Sequence, residues 1–230
     1  ELTPEYHIVV YNLPLCKRGC NQSTYTFEYI ASDLNSVLNE LELDHVSMIG
    51  ESFGGIVAQH FAHNYPNKLD KLILLSSLAK AILPPDIQWK LNKLMPIIGG
   101  FGYYYPYFAQ MLFAQIHVDD VVEPTESKDT KDLFIKEASF AHFYSVLARI
   151  RIASTLDILD IVPKISTPTM VIYGEDDHFT KKDSLQIHSL LPNSVLASLP
   201  GGHLAHVGSP KQFSSLIAGF VGRIAEQATT

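Results

Sequence analysis

Cysteine is nearly absent from this chain of 230 residues: there are only two, Cys16 and Cys20, sharing one short loop with Lys17 and Arg18. Two cysteines cannot close a zinc site alone. A bond between them would close a ring too small to restrict the unfolded chain much. The expectation is therefore reduced thiols and, with them, a cytoplasmic location. Long apolar runs are missing too. No stretch reaches the ~18 apolar residues of a membrane-crossing helix, so no transmembrane segment is expected. Positive charge is in deficit, with 17 Lys and Arg against 24 Asp and Glu and a net charge of −7. That balance gives nucleic acid no electrostatic footprint. No signal-like segment is seen, and the chain opens at Glu1 rather than Met, which leaves room for a segment removed upstream.

What is present is an ordinary globular composition, 47% hydrophobic and 18% charged, long enough to bury a core without disulfide or metal. Tyr6–Tyr11 (YHIVVY) reads as a buried strand ended by Asn12 and Pro14. Phe27, Ile30, Leu34, Val37, Leu38 and Leu41 recur at helical spacing over Tyr25–Leu43, with Thr26 or Thr24 as N-cap. His45–Ile49 is a short strand, Gly50–Gly55 a turn, Ile56–Tyr65 a helix stopped by Pro66, and Leu69–Ser76 a strand. This alternation predicts a mostly parallel α/β sheet with crossover helices. From 78 to 167 the pattern turns helical, with an aromatic stretch over Phe101–Phe113. The strand–helix pattern resumes with strands Thr169–Tyr173 and Val195–Leu199 and helices over Lys182–Leu191 and Pro210–Ala225. The expected organisation is a core domain in two parts, 1–77 and 168–230, around a helical cap insertion, 78–167.

Three short segments carry chemistry. Gly50-Glu51-Ser52-Phe53-Gly54 lies between a predicted strand and a predicted helix, the setting in which a G-x-S-x-G turn projects its serine above a sheet. The turn strains the serine backbone, and the Phe53 N–H at the helix start would face a developing oxyanion. The blander reading is a glycine-rich turn whose serine caps a helix. A serine hydroxyl needs a base, and the base an orienting acid. Gly174-Glu175-Asp176-Asp177 and Pro200-Gly201-Gly202-His203 each follow a strand directly, where active sites of open α/β sheets collect.

In order and spacing, the elbow GESFGG, the strand followed by GEDD and the segment GGHLAHVGSP resemble the capped α/β-hydrolase family over essentially the whole chain. The resemblance implies the α/β-hydrolase fold and selects Asp177 as acid and His203 as base for the Ser52 nucleophile. Asp176 and His206 stand as alternatives for acid and base. His178 reads as loop lining, and His60 and His63 as surface or packing residues. Glu51 could tune the field at Ser52 or be a solvated or locally bonded carboxylate. Trp89, Tyr103–Tyr105 and Met111 belong either to a substrate pocket or to the cap's own core. The acidic clusters Asp119–Asp120 and Glu123–Asp132 read as solvated surface.

The match to the family begins late. Tyr6–Tyr11 resembles the family's fourth strand, and nothing matches the loop after its third strand, which supplies the second oxyanion donor. A fragment is the favoured explanation, beside a segment supplied by another chain or a rearranged sheet. Asn12 stands where the family often has aspartate. The function implied is hydrolysis of a small, apolar acyl ester through an acyl-enzyme, with no metal and no cofactor. Acyl transfer, carbon–carbon bond hydrolysis and aminopeptidase chemistry share the triad. Dehalogenase chemistry is disfavoured because the elbow carries Ser52 rather than aspartate. A non-catalytic ligand-binding relative of the same fold is the rival from outside enzymology.

Overall fold

A computed structural model describes residues 6–16, 24–81, 85, 89, 93, 97, 104–124 and 126–222. Among these, four parallel strands lie in chain order: β1 (Val46–Glu51), β2 (Leu69–Leu75), β3 (Thr169–Gly174) and β4 (Ser194–Leu199). β2 is central, and its alternation divides the core. Leu72 and Leu74 point to one face, with Val171, Phe61 and Ile30. Ile73 and Leu75 point to the other, with Ile172, Leu199, Ile217 and Phe220. Burial on both sides is what a parallel sheet requires, and it explains why LILL reads as an unbroken apolar run.

The first face is covered by α1 (Phe27–Glu40) and α2 (Phe53–Asn64). α1 buries Phe27, Ile30, Ala31, Leu34 and Leu38, an i, i+3, i+4 stripe. Of the two capping candidates it is Thr26 that acts, its hydroxyl accepting the Tyr29 N–H at 3.1 Å. α2 starts three residues earlier than the periodicity predicts, because the elbow runs into it without a break. Between β2 and β3 the chain forms α3 (Pro106–Val121), α4 (Lys128–Phe140) and α5 (Phe143–Ala153). This excursion leaves and rejoins the core at one place. Ala81 N–H donates to Leu156 O and Ile158 N–H to Ala79 O, each at 2.9 Å, and Lys80 pairs with Asp157 at 2.6 Å. The remaining α-helices described in full are α6 (Lys181–Leu190), the one-turn α7 (Ala205–Gly208) and α8 (Pro210–Val221).

Two expectations are corrected. Tyr6–Tyr11 forms no strand: Ile8, Val9 and Val10 are 49, 43 and 80% exposed. A run of β-branched and aromatic residues becomes a strand only where its backbone comes to lie along a neighbour, and among the described residues Tyr6–Tyr11 pairs with no strand, leaving β1 bonded to β2 on one side. The segment is anchored instead by Tyr11, whose hydroxyl donates to Asp33 at 2.6 Å. Cys16 is disulfide-bonded and buried rather than a free thiol; Cys20 lies outside the described residues. Ring size bears on how much a bond stabilises, not on whether it forms, so the support it lent to a cytoplasmic location falls. Of the residues left open between pocket and cap core, Trp89, Tyr104, Tyr105 and Met111 are exposed, while Ala109, Ala114 and Val118 supply the buried face of α3; Tyr103 lies outside the described residues. No helix among the described residues is long and apolar enough to cross a membrane.

Candidate active site

The site begins where β1 turns into α2. Ser52 takes φ 49° and ψ −115°, a left-handed conformation that costs a non-glycine residue of order 1–3 kcal/mol. The turn is held from below: Ser52 N–H donates to Leu75 O at 2.9 Å, and Ser77 Oγ donates to Ser52 O at 3.1 Å. Gly50 is obligatory there, because a Cβ would sit 2.6 Å from Gly54 O and 2.8 Å from Ala58 Cβ. Gly54 is not, since a Cβ on it would meet nothing within 4 Å. Phe53 is the first residue of α2. Its N–H therefore belongs to the helix's first turn, where backbone donors lack an intrahelical acceptor.

The loops after β3 and β4 bring the other two groups. His203 Nε2 lies 3.0 Å from Ser52 Oγ, and His203 Nδ1 lies 3.2 Å from Asp177 Oδ2. Asp177 and His203 are 1 and 2% exposed, so this contact is dry. Burial pushes the Asp177 carboxyl up. Its bonds from His203 and Thr180 outweigh that and hold it down at about 2. Phe179 and Thr180 N–H both donate to Asp177 Oδ1, at 2.9 and 2.8 Å. The two loops are joined by the Asp176 N–H, which donates to Gly201 O at 2.9 Å.

The alternatives sit elsewhere. The Asp176 side chain faces solvent. His206 Nδ1 is 3.3 Å from Glu51 Oε1, close enough for an ion pair but not aligned as a hydrogen bond. Burial raises the Glu51 carboxyl, opposed by His206 and His203. The His178 side chain is exposed. His60 is a packing residue, buried and stacked on Phe27 at 5.0 Å. An open hollow of about 290 Å³ is bounded by Thr26, Phe27, His60 and Ile158, and Ser52 does not line it. Among the described residues no group of three or more His, Cys, Asp or Glu could hold a metal ion.

Sequence reasoning missed three contributors. Thr180 had a local signal: a Thr three residues after an Asp is a side-chain-to-backbone capping pattern. Glu123 and Glu126 had none. They were expected in solvent, yet Glu123 accepts the His178 N–H at 3.0 Å and Glu126 accepts the Gly202 N–H at 2.6 Å. Both contacts span more than fifty residues, beyond the reach of local pattern.

Buried Asp, intervening His and strained Ser form one hydrogen-bonded line, an arrangement able to activate a hydroxyl for attack on a carbonyl. A family model described as the alpha/beta hydrolase fold matches residues 1–110. RutD of Pseudomonas syringae, named as a candidate carbamate hydrolase, is 25% identical over 224 residues, covering 96% of this chain and 85% of its own length. A poly(3-hydroxyalkanoate) depolymerase of Ectopseudomonas oleovorans is 23% identical over 236 residues, covering 99 and 79%. The crystal structure of the enol-lactonase of Burkholderia xenovorans superposes with a TM-score of 0.73 over 86% of this chain and 74% of that one. At 15% identity, that likeness speaks for the fold.

Proposed function

We propose that this chain, which belongs to the α/β-hydrolase superfamily, is a serine hydrolase that cleaves carboxylic esters through an acyl-enzyme on Ser52. The observation that carries the reading is the unbroken line from Ser52 Oγ through His203 to Asp177 Oδ2. With Asp177 ionised, the His203 Nδ1–H donates a hydrogen bond to the carboxylate and keeps its proton, which leaves the Nε2 lone pair facing the serine hydroxyl. Ser52 Oγ attacks the acyl carbon as its proton passes to Nε2, and Asp177 stabilises the imidazolium. The oxyanion develops at the start of α2, where the Phe53 N–H and the helix dipole favour negative charge. Collapse of the tetrahedral species expels the alcohol, which takes the proton from Nε2. Water then enters and attacks the acyl carbon as one of its protons passes to Nε2; the bond to Ser52 Oγ breaks, Oγ takes that proton back from Nε2, and the acid is released. The scheme uses no metal and no cofactor.

Within this reading residues 78–167 act as a cap over the two-part core, and the substrate is a small apolar acyl ester. A second reading, carbamate hydrolysis on the same serine, is favoured by the likeness to RutD. Both run through the same nucleophile, so one experiment tests their common part. A fluorophosphonate should label the wild type once, as read by intact mass, and should not label Ser52→Ala. Turnover of p-nitrophenyl esters against aryl carbamates then ranks the two. A folded wild type that takes no label overturns the proposal.

A further inference from the structure

The turn between α3 and α4 reaches across to both loops of the candidate triad. Glu123 accepts the N–H of His178, the residue after Asp177; Glu126 accepts the N–H of Gly202, the residue before His203. The turn is itself closed by the Glu126 N–H donating to Glu123 O at 3.0 Å. Glu123 is packed rather than solvated, its side chain only 11% exposed. The fit is close: a Cβ on Gly202 would collide with Glu123 Cγ and lie 3.1 Å from Glu126 Oε1. Gly201 beside it has φ 107°, which places its loop in a left-handed turn presenting the next N–H to the glutamate.

From this juxtaposition we infer that the 123–126 turn is a strap, with Glu123 and Glu126 as positioning residues that hold the acid-bearing and base-bearing loops at one separation. The inference rests on reading Ser52, His203 and Asp177 as the reacting groups. Each glutamate grips the residue adjacent to one member of the Asp177–His203 pair, so the strap sets their spacing without touching either. A charge-assisted bond from carboxylate to backbone N–H is short and strong, and the observed 2.6 Å at Gly202 is of that kind. The helices between β2 and β3 thereby become part of the catalytic geometry: if they lift, both loops lose their brace.

The test uses the whole protein and four variants: Glu126→Ala, Glu126→Gln, Glu123→Ala and the Glu123→Ala/Glu126→Ala pair. Residue-resolved amide exchange at Gly202 and His178 is measured with kcat and KM on a soluble ester and the thermal midpoint. The strap predicts that Glu126→Ala speeds Gly202 exchange about tenfold and lowers kcat about tenfold with KM little changed. Glu126→Gln, which keeps a carbonyl acceptor, restores most of both. Glu123→Ala acts on His178 exchange, and the midpoint stays near that of the wild type in the single variants. Unchanged exchange in Glu126→Ala overturns the strap. So does faster exchange with an unchanged kcat in the double variant. If the wild type neither labels at Ser52 nor turns over any ester, the proposed function fails on its own, and the exchange comparison still decides whether the strap holds the loops.

Discussion

Thr180 donates its hydroxyl to Asp177 Oδ2 at 2.5 Å and its backbone N–H to Oδ1 at 2.8 Å, so one residue holds both oxygens of the carboxylate that faces His203. Oδ2 is therefore shared between a hydroxyl and an imidazole, and the plane of the carboxylate is set before any substrate arrives. Thr180→Val removes the hydroxyl and keeps the N–H and the volume. Its kcat should fall about tenfold, the size of one lost bond to a charged group, with KM nearly unchanged. Asp177→Asn, which gives the histidine the wrong tautomer, should cost about 10⁴-fold. Steady-state kinetics on one ester check both.

The depressed Asp177 carboxyl is also a statement about acid stability. Its folded value of about 2 lies below the ordinary 3.8. Its contribution is thus fully present above pH ~4 and is lost as pH falls through ~2, amounting to about 2 kcal/mol. Urea unfolding of wild type and Asp177→Asn between pH 6 and 2.5 should show a gap that narrows toward the acid end. A gap independent of pH would contradict the assignment.

Glu51 behaves in the opposite sense. Burial raises its carboxyl despite His206 and His203, so the folded state holds that proton more tightly than the unfolded chain does. The stability it contributes is present at low pH and disappears as pH rises through the raised value. Glu51→Gln should therefore raise the thermal midpoint at pH 7 and leave it unchanged near pH 4. Calorimetric scans at the two pH values separate these outcomes.

The elbow glycines make a contrasting pair. Gly50→Ala forces a Cβ against Gly54 O and Ala58 Cβ and should cost about 1–3 kcal/mol. Gly54→Ala meets open space in the first turn of α2 and should be neutral or stabilising by up to ~1 kcal/mol. Chemical denaturation of the two variants reads the difference, whatever either does to turnover.

The elbow, the loops after β3 and β4 and all four strands were legible in the sequence because each is a local event. An unbroken apolar run marks β2, a helical stripe marks α1, and glycines bracket Ser52. Asp177 could be told from Asp176 only by family likeness, since the burial that separates them depends on the packed loop. Tyr6–Tyr11 misled because strand propensity says nothing about whether the segment comes to lie along an edge it can pair with. The strap glutamates were invisible for the complementary reason: a solvated acidic turn and a docked one have the same local sequence. What distinguishes them is an N–H delivered from a distant loop.

The strand order has a further consequence, which is kinetic. β1 and β2 are joined through α2, and β3 and β4 through α6, so each pair closes over a short stretch of chain. Between them lies a single seam, Leu72–Leu75 against Thr169–Ile172, and closing it brings together residues 97 positions apart, an entropic cost met before any contact repays it. The sheet should therefore assemble as two quickly formed halves and one slow union. Until that union the buried edge of β2 stands open, which makes this seam the place where crowding and temperature decide between folding and aggregation.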